Sequence, residues 1–168
     1  MARQEEGYQA REREHFDRLA AEQGITWWGR KTRAGALRME RRARLVRDWL
    51  ADCRGRSFLE IGCGAGEFTE PLVRAVPDAA WVACDISPRA LDHCRARLAG
   101  APGRVSVEAW DLCAPFPAGR RFDAIVGCSV LHHLPLAATL RHCREALLPG
   151  GKVWFSEPNM ANPQVWAE

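Results

Sequence analysis

Residues 57–68, S-F-L-E-I-G-C-G-A-G-E-F, constrain this chain more than any other stretch. Residues 57–61 form a short apolar run bounded by Arg-Gly-Arg on one side and glycines on the other, the pattern of a buried strand rather than a helix. Gly62, Gly64 and Gly66 then alternate with small residues. Such a backbone can take positive φ, approach a ligand closely and open a helix whose free N–H groups face a crevice. The reading is a cofactor cradle made of Glu60, Gly62, Cys63, Gly64 and Gly66.

The surroundings fit one soluble domain. At 168 residues there is enough chain for one real core, and 47% hydrophobic with 27% charged residues is ordinary for a globular protein. No apolar run reaches the roughly 18 residues of a membrane span and the N-terminal M-A-R-Q-E-E-G has no signal-peptide core, so the expectation is a cytoplasmic protein. The seven cysteines stand singly, without a C-x-x-C pair, and read as reduced core thiols; the five histidines show no metal-binding spacing. Arg and Lys outnumber acids 14 to 9 in residues 1–56 but not afterwards, 10 to 12. A solvated arginine face explains that excess more simply than nucleic-acid binding, which is not expected.

Taken in order, residues 8–22 carry sparse apolar positions at Tyr8, Phe16, Leu19 and Ala20 and suggest a short amphipathic helix. Trp27 and Trp28 follow in a glycine-flanked loop, either as core anchors or as part of a lid over a ligand. In residues 36–51, Met39, Ala43, Val46 and Leu50 fall on one helical face, with Arg38, Arg41, Arg44 and Arg47 largely elsewhere. After the glycine turn, Thr69-Glu70-Pro71 starts a helix, residues 80–84 form a second apolar run ending in Asp85, and Pro88 opens a helix closed by Gly100. Residues 105–110 and 122–128 are the third and fourth runs. Leu136, Leu140, Cys143 and Leu147 set a helix stopping at Pro149-Gly150-Gly151, and residues 152–155 are the fifth run. Strands alternating with helices imply an α/β fold with a doubly wound, mainly parallel sheet of about five strands, and ligand chemistry at the C-terminal strand ends. Those ends carry Glu60 and the glycines, Asp85 with Ile86, Asp111 with Leu112, and Cys128 with Ser129. A carboxylate at Asp85 is suited to both hydroxyls of a ribose.

E-I-G-C-G-A-G resembles the first motif of class I S-adenosylmethionine (SAM) dependent methyltransferases, acidic-x-G-x-G-x-G. The similarity extends over about residues 57–159: Asp85, W-D-L at 110–112 followed by P-F-P, F-D-A-I-V-G-C-S-V-L-H-H-L, and L-L-P-G-G-K-V. The resemblance implies a Rossmann-like core at 57–168, C-terminally incomplete, and the residues ahead of it read as an N-terminal helical lid and lead-in helix at 1–56. It implies SAM as cofactor and a small-molecule methyl acceptor. Asp85 would bind the ribose, Asp111 the adenine amino group, the Leu112 backbone N–H the ring, and Cys128, Ser129 and Val130 the methionine end. If the acceptor is a hydroxyl, His132 or His133 is the natural proton acceptor at neutral pH, although one of them can instead make only structural hydrogen bonds.

Two other classes fit parts of the pattern. An NAD-dependent oxidoreductase would use Asp85, 19 residues after Gly66, but lacks the sixth-position glycine and leaves Asp111 idle. A SAM-binding homologue without turnover is the second, because the family usually has seven strands and this sequence stops soon after the fifth. That leaves an uncapped sheet edge through which the chain is expected to self-associate, with the tail from Asn159 to Glu168, including Trp166, loosely held.

Overall fold

A computed structural model describes residues 32–101 and 104–159, together with Arg11, Glu14, His15, Asp17, Arg18 and Ala21 of an N-terminal helical stretch. Tyr8, Phe16, Leu19, Ala20, Trp27, Trp28 and the tail beyond Asn159 lie outside the described residues. The strands are β1 (Ser57–Ile61), β2 (Ala80–Asp85), β3 (Arg104–Ala109), β4 (Phe122–Cys128) and β5 (Leu147–Ser156). The helices are α1 (Arg33–Trp49), α2 (Thr69–Ala75), α3 (Pro88–Leu98) and α4 (Leu136–Ala146), with a short 3-10 turn at Leu131–His133. All strand pairs are parallel, in the order β3-β2-β1-β4-β5. The chain therefore winds outward from β1 in one direction and returns through β4 in the other, and a crevice opens at that switch point, beyond the C-terminal ends of β1 and β4.

Periodicity explains the layers. Phe58 and Trp81 project to one face, edge to face with centroids 5.1 Å apart, where Met39, Ala43, Val46 and Leu50 of α1 and Leu72 and Val73 of α2 cover them. Leu59, Ile61, Cys84 and Ile125 project to the other, against Trp110, Leu112, Cys143 and Ala146. Thr32 caps α1, its Oγ1 accepting from Gly35 N at 3.0 Å. The far end of α1 is fastened to the edge strand. Lys152 Nζ donates to the Trp49 carbonyl at 2.6 Å, pairs with Asp52 and lies 4.5 Å from the Trp49 ring centroid.

The end of β3, the α4–β5 junction and the buried face of α4 differ from the sequence expectation. β3 ends at Ala109, where Trp110 N still makes a ladder bond, to Asp85 O at 3.0 Å. α4 ends at Ala146 and β5 begins at once: Phe122 pairs with Leu147 and Ala124 with Lys152, so residues 148–151 bulge from the edge, with Gly150 at φ +79°. Proline lacks the donor a ladder needs, and a bulge tolerates it. The third difference is the buried face of α4. Thr139, His142, Cys143 and Ala146 point inward, whereas Leu136 and Leu140 are 51% and 40% exposed. The buried His142 ring sits 5.7 Å from Phe116, and this contact, rather than the leucine stripe, sets the helix rotation.

Candidate active site

The three glycines of the turn do different work. At Gly62, φ +70°, an added Cβ would lie 2.3 Å from Val130 Cγ2, and at Gly66, φ +82°, it would lie 2.9 Å from Cys94 Sγ. These two let neighbouring elements close in. Gly64, φ +52°, faces open space with nothing within 4 Å, so this is where a ligand can meet bare backbone. The expectation of free N–H groups needs correcting at Cys63 and Gly64. Cys63 N donates to Cys84 O at 3.0 Å and Gly64 N to Asp85 Oδ2 at 2.9 Å, while α2 starts only at Thr69. Arg97 of α3 holds the turn from outside, its Nε donating to Ala65 O at 2.9 Å and its Nη1 reaching Glu70 Oε2 at 3.4 Å. No motif singled Arg97 out.

Asp85 thus has a second task beside any ligand. Its Oδ1 accepts from Ser87 N at 3.0 Å and its Oδ2 from Gly64 N, so one carboxylate ties the glycine turn to the exit of β2. A carboxylate offers about four acceptor positions, so these bonds do not exhaust it. Burial pushes the Asp85 carboxyl up from its ordinary range; backbone N–H groups of Ser87, Gly64 and Ile86 oppose that, and the charge of Asp17 adds to it. Asp17 reaches this corner from the N-terminal helical stretch, accepting a hydrogen bond from Ser87 Oγ, the N-cap of α3. Asp111 lies next to this corner, since Trp110 N bonds Asp85 O; its Oδ1 accepts from Cys113 N at 2.9 Å, and Leu112 is buried beside it.

At the end of β4 the buried Cys128 precedes Ser129, the one non-glycine with positive φ among the described residues, at 55°. Ser129 N donates to Ser156 O at 2.8 Å, and the strained residue lets the chain break into the 3-10 turn. Glu157 completes that turn. Its Oε1 accepts from Val130 N and Leu131 N, both at 3.1 Å, and its Oε2 lies 2.7 Å from His132 Nδ1. The His133 ring centroid is 4.0 Å from that of His132, and burial, helped by the neighbouring His132, lowers the His133 pKa to about 4. Arg42 of α1 arrives from the opposite side, its Nη1 3.4 Å from Cys128 Sγ and 3.8 Å from Met39 Sδ. Thiol and thioether sulfur are weak acceptors, which leaves most of the guanidinium's donors for a stronger anionic group.

The structure therefore brings Gly62, Gly64, Gly66, Asp85, Ile86, Asp111, Leu112, Cys128, Ser129, His132 and His133 to one end of the sheet, as the strand-end argument requires. Glu60 and Cys63 are different: at 1% and 4% exposure their side chains are enclosed and support the turn from within. Arg42, Arg97 and Glu157 are the additions. Arg42 hides in an arginine-rich helix whose other arginines are solvated, and Glu157 follows the last strand without a motif. Among the described residues no helix is long and apolar enough to cross a membrane, and no cluster of metal-ligating side chains occurs.

Residues 59–153, more than half of the chain, match the family model of the methyltransferase domain. The chain belongs to this family. The chain is 37% identical over 121 residues to a ubiquinone biosynthesis O-methyltransferase of Cereibacter sphaeroides (strain ATCC 17025 / ATH 2.4.3), an alignment covering 68% of this chain and 45% of the relative. It is 36% identical over 110 residues to a phenazine-1-carboxylate N-methyltransferase of Pseudomonas aeruginosa, covering 62% and 32%. Among solved structures, a glycopeptide N-methyltransferase complexed with SAM superposes with a TM-score of 0.60 at 29% identity, over 68% of this chain and 52% of that one. The chain thus spans about half the length, or less, of these three relatives. Membership gives the chain the Rossmann-like fold of that domain and leaves the oxidoreductase alternative without support.

Proposed function

We propose that this methyltransferase binds SAM across the strand ends and methylates a hydroxyl of a small, ring-bearing acceptor. The open face of Gly64 beside the Asp85 carboxylate carries the cofactor part of the reading, because bare backbone and a carboxylate with spare acceptor positions suit a ribose-containing ligand. When bound, SAM supplies a methyl group already activated on a sulfonium. The protein's own residues hold and orient. Asp85 accepts from the ribose hydroxyls, Asp111 and the Leu112 N–H take the adenine edge, and Arg42 beside Cys128 offers its donors to the carboxylate at the methionine end. Alignment of two bound reactants supplies up to roughly 7 to 11 kcal/mol of the barrier, so a base assists rather than drives the reaction.

The oxygen acceptor is favoured by the histidine pair at the mouth of β4 and by the relatives named for O-methylation of a ubiquinone precursor. His133, whose pKa is lowered to about 4, stays neutral at physiological pH and adds no cation there. Isothermal titration with S-adenosylhomocysteine (SAH), followed by a screen of phenols and catechols for SAH release, tests the reading. Micromolar binding that weakens about tenfold or more in Arg42→Ala is expected. Folded protein that ignores millimolar SAH would sink the assignment; binding without release for any acceptor would leave a SAM-binding protein and remove the transfer reaction.

A further inference from the structure

We infer that Glu157 is a positioning residue that holds His132 in the tautomer whose Nε2 is free to take a proton from the acceptor. The inference rests on the methyl-transfer reading for its chemistry, but its geometry stands alone. Glu157 is fixed first: its Oε1 receives two backbone N–H groups, Val130 N and Leu131 N, each at 3.1 Å, and so cannot rotate away. Its second oxygen is thereby aimed at His132 Nδ1, 2.7 Å distant. An ionised carboxylate only accepts, so Nδ1 must carry the hydrogen and the imidazole lone pair must lie on Nε2. This is the less common neutral tautomer, selected by the neighbour.

The surroundings agree with that role. The other groups near the pair are His133, its ring centroid 4.0 Å away and tilted by 45°, and His15 of the N-terminal helical stretch, whose charge also depresses His133. With His133 neutral, it adds no positive charge beside the Glu157–His132 pair. When the acceptor's O–H bond breaks, its proton forms the Nε2–H bond and the electron pair stays on oxygen, which becomes the attacking nucleophile. The imidazolium so formed is balanced by Glu157, and water removes the proton afterwards.

Substitution by the isostere gives a test with a definite sign. In Glu157→Gln the two backbone N–H groups still demand an acceptor, so the amide oxygen takes the Oε1 place and the NH2 group faces His132 Nδ1. A donor there forces Nδ1 to accept and puts the proton on Nε2. Nitrogen-15 spectra of histidine-labelled protein at pH 7.5, assigned with His132→Asn, should show the Nδ1–H form in the parent and Nε2–H in Glu157→Gln, with SAH affinity unchanged. Transfer to a hydroxyl acceptor should fall about 100-fold or more in kcat with little change in KM. A parent protein already in the Nε2–H form, or a tautomer indifferent to Glu157→Gln, overturns the inference. A tautomer that flips without any change in rate upholds the positioning by Glu157 and removes the base from the proposed function, so the two failures are distinguishable.

Discussion

Replacing Gly64 and Gly62 by alanine, one at a time, separates ligand space from packing space. Both residues have positive φ, +52° and +70°, and the left-handed conformation costs an L-residue about 1–2 kcal/mol. Gly64→Ala carries little beyond that, since its methyl group enters open space. For a chain of this size 1 kcal/mol shifts Tm by about 2–4 °C, so a fall of about 2–8 °C is expected. Gly62→Ala adds an overlap of Cβ with Val130 Cγ2 at 2.3 Å, and overpacking costs about 1–3 kcal/mol more. Affinity should rank the other way in proportion to stability lost. The Gly64 methyl occupies the space the cofactor needs and should cost at least about tenfold in SAH binding, or about 1.4 kcal/mol, in a protein that melts nearly normally. Thermal melts and isothermal titration read the two quantities separately. Wild-type SAH affinity in folded Gly64→Ala would refute the placement of the cradle.

Three further outcomes are expected. Asp85→Ala should weaken SAH binding by about 1.5–3 kcal/mol through lost charge-assisted hydrogen bonds, and should also lower Tm because Gly64 N and Ser87 N lose their acceptor; titration and melting decide it. His133 has a folded pKa of about 4 against 6.5 when free, so below pH 6.5 the unfolded chain binds a proton the folded protein refuses, and stability present above 6.5 is lost as pH falls toward 4. Urea unfolding at pH 7.5, 6 and 5 should show that slope, and His133→Asn should flatten it. Sedimentation at several concentrations should reveal self-association through the edge of β5, which no strand among the described residues pairs with, reduced by Val153→Lys at its 40% exposed position; a compact monomer throughout would remove that expectation.

The glycine turn, the five parallel strands and the buried face of α1 were legible because each rests on local rules: period, punctuation and a glycine where the backbone bends. α4 was misread for a physical reason. Its leucines look like the core face, but a helix over a partly covered sheet turns toward the partner it finds, here Phe116 against His142. Glycine equivalence was also illegible, since only the positions of Val130 and Cys94 show which glycine is open. Arg42, Arg97 and Glu157 act across 86, 32 and 25 to 27 residues of sequence, and no pattern within one element announces a contact of that span.

α1 is held at two points on neighbouring strands, by Lys152 of β5 at Trp49 and by Arg42 against Cys128 of β4. A helix tied at its middle and at its C-terminal end carries rotation from one tie to the other. A disturbance of the edge strand, whether a partner pairing with it or a charge placed on it, would twist the helix and swing the Arg42 guanidinium at the mouth of the crevice, so the rim of the sheet and the ligand site are mechanically one piece.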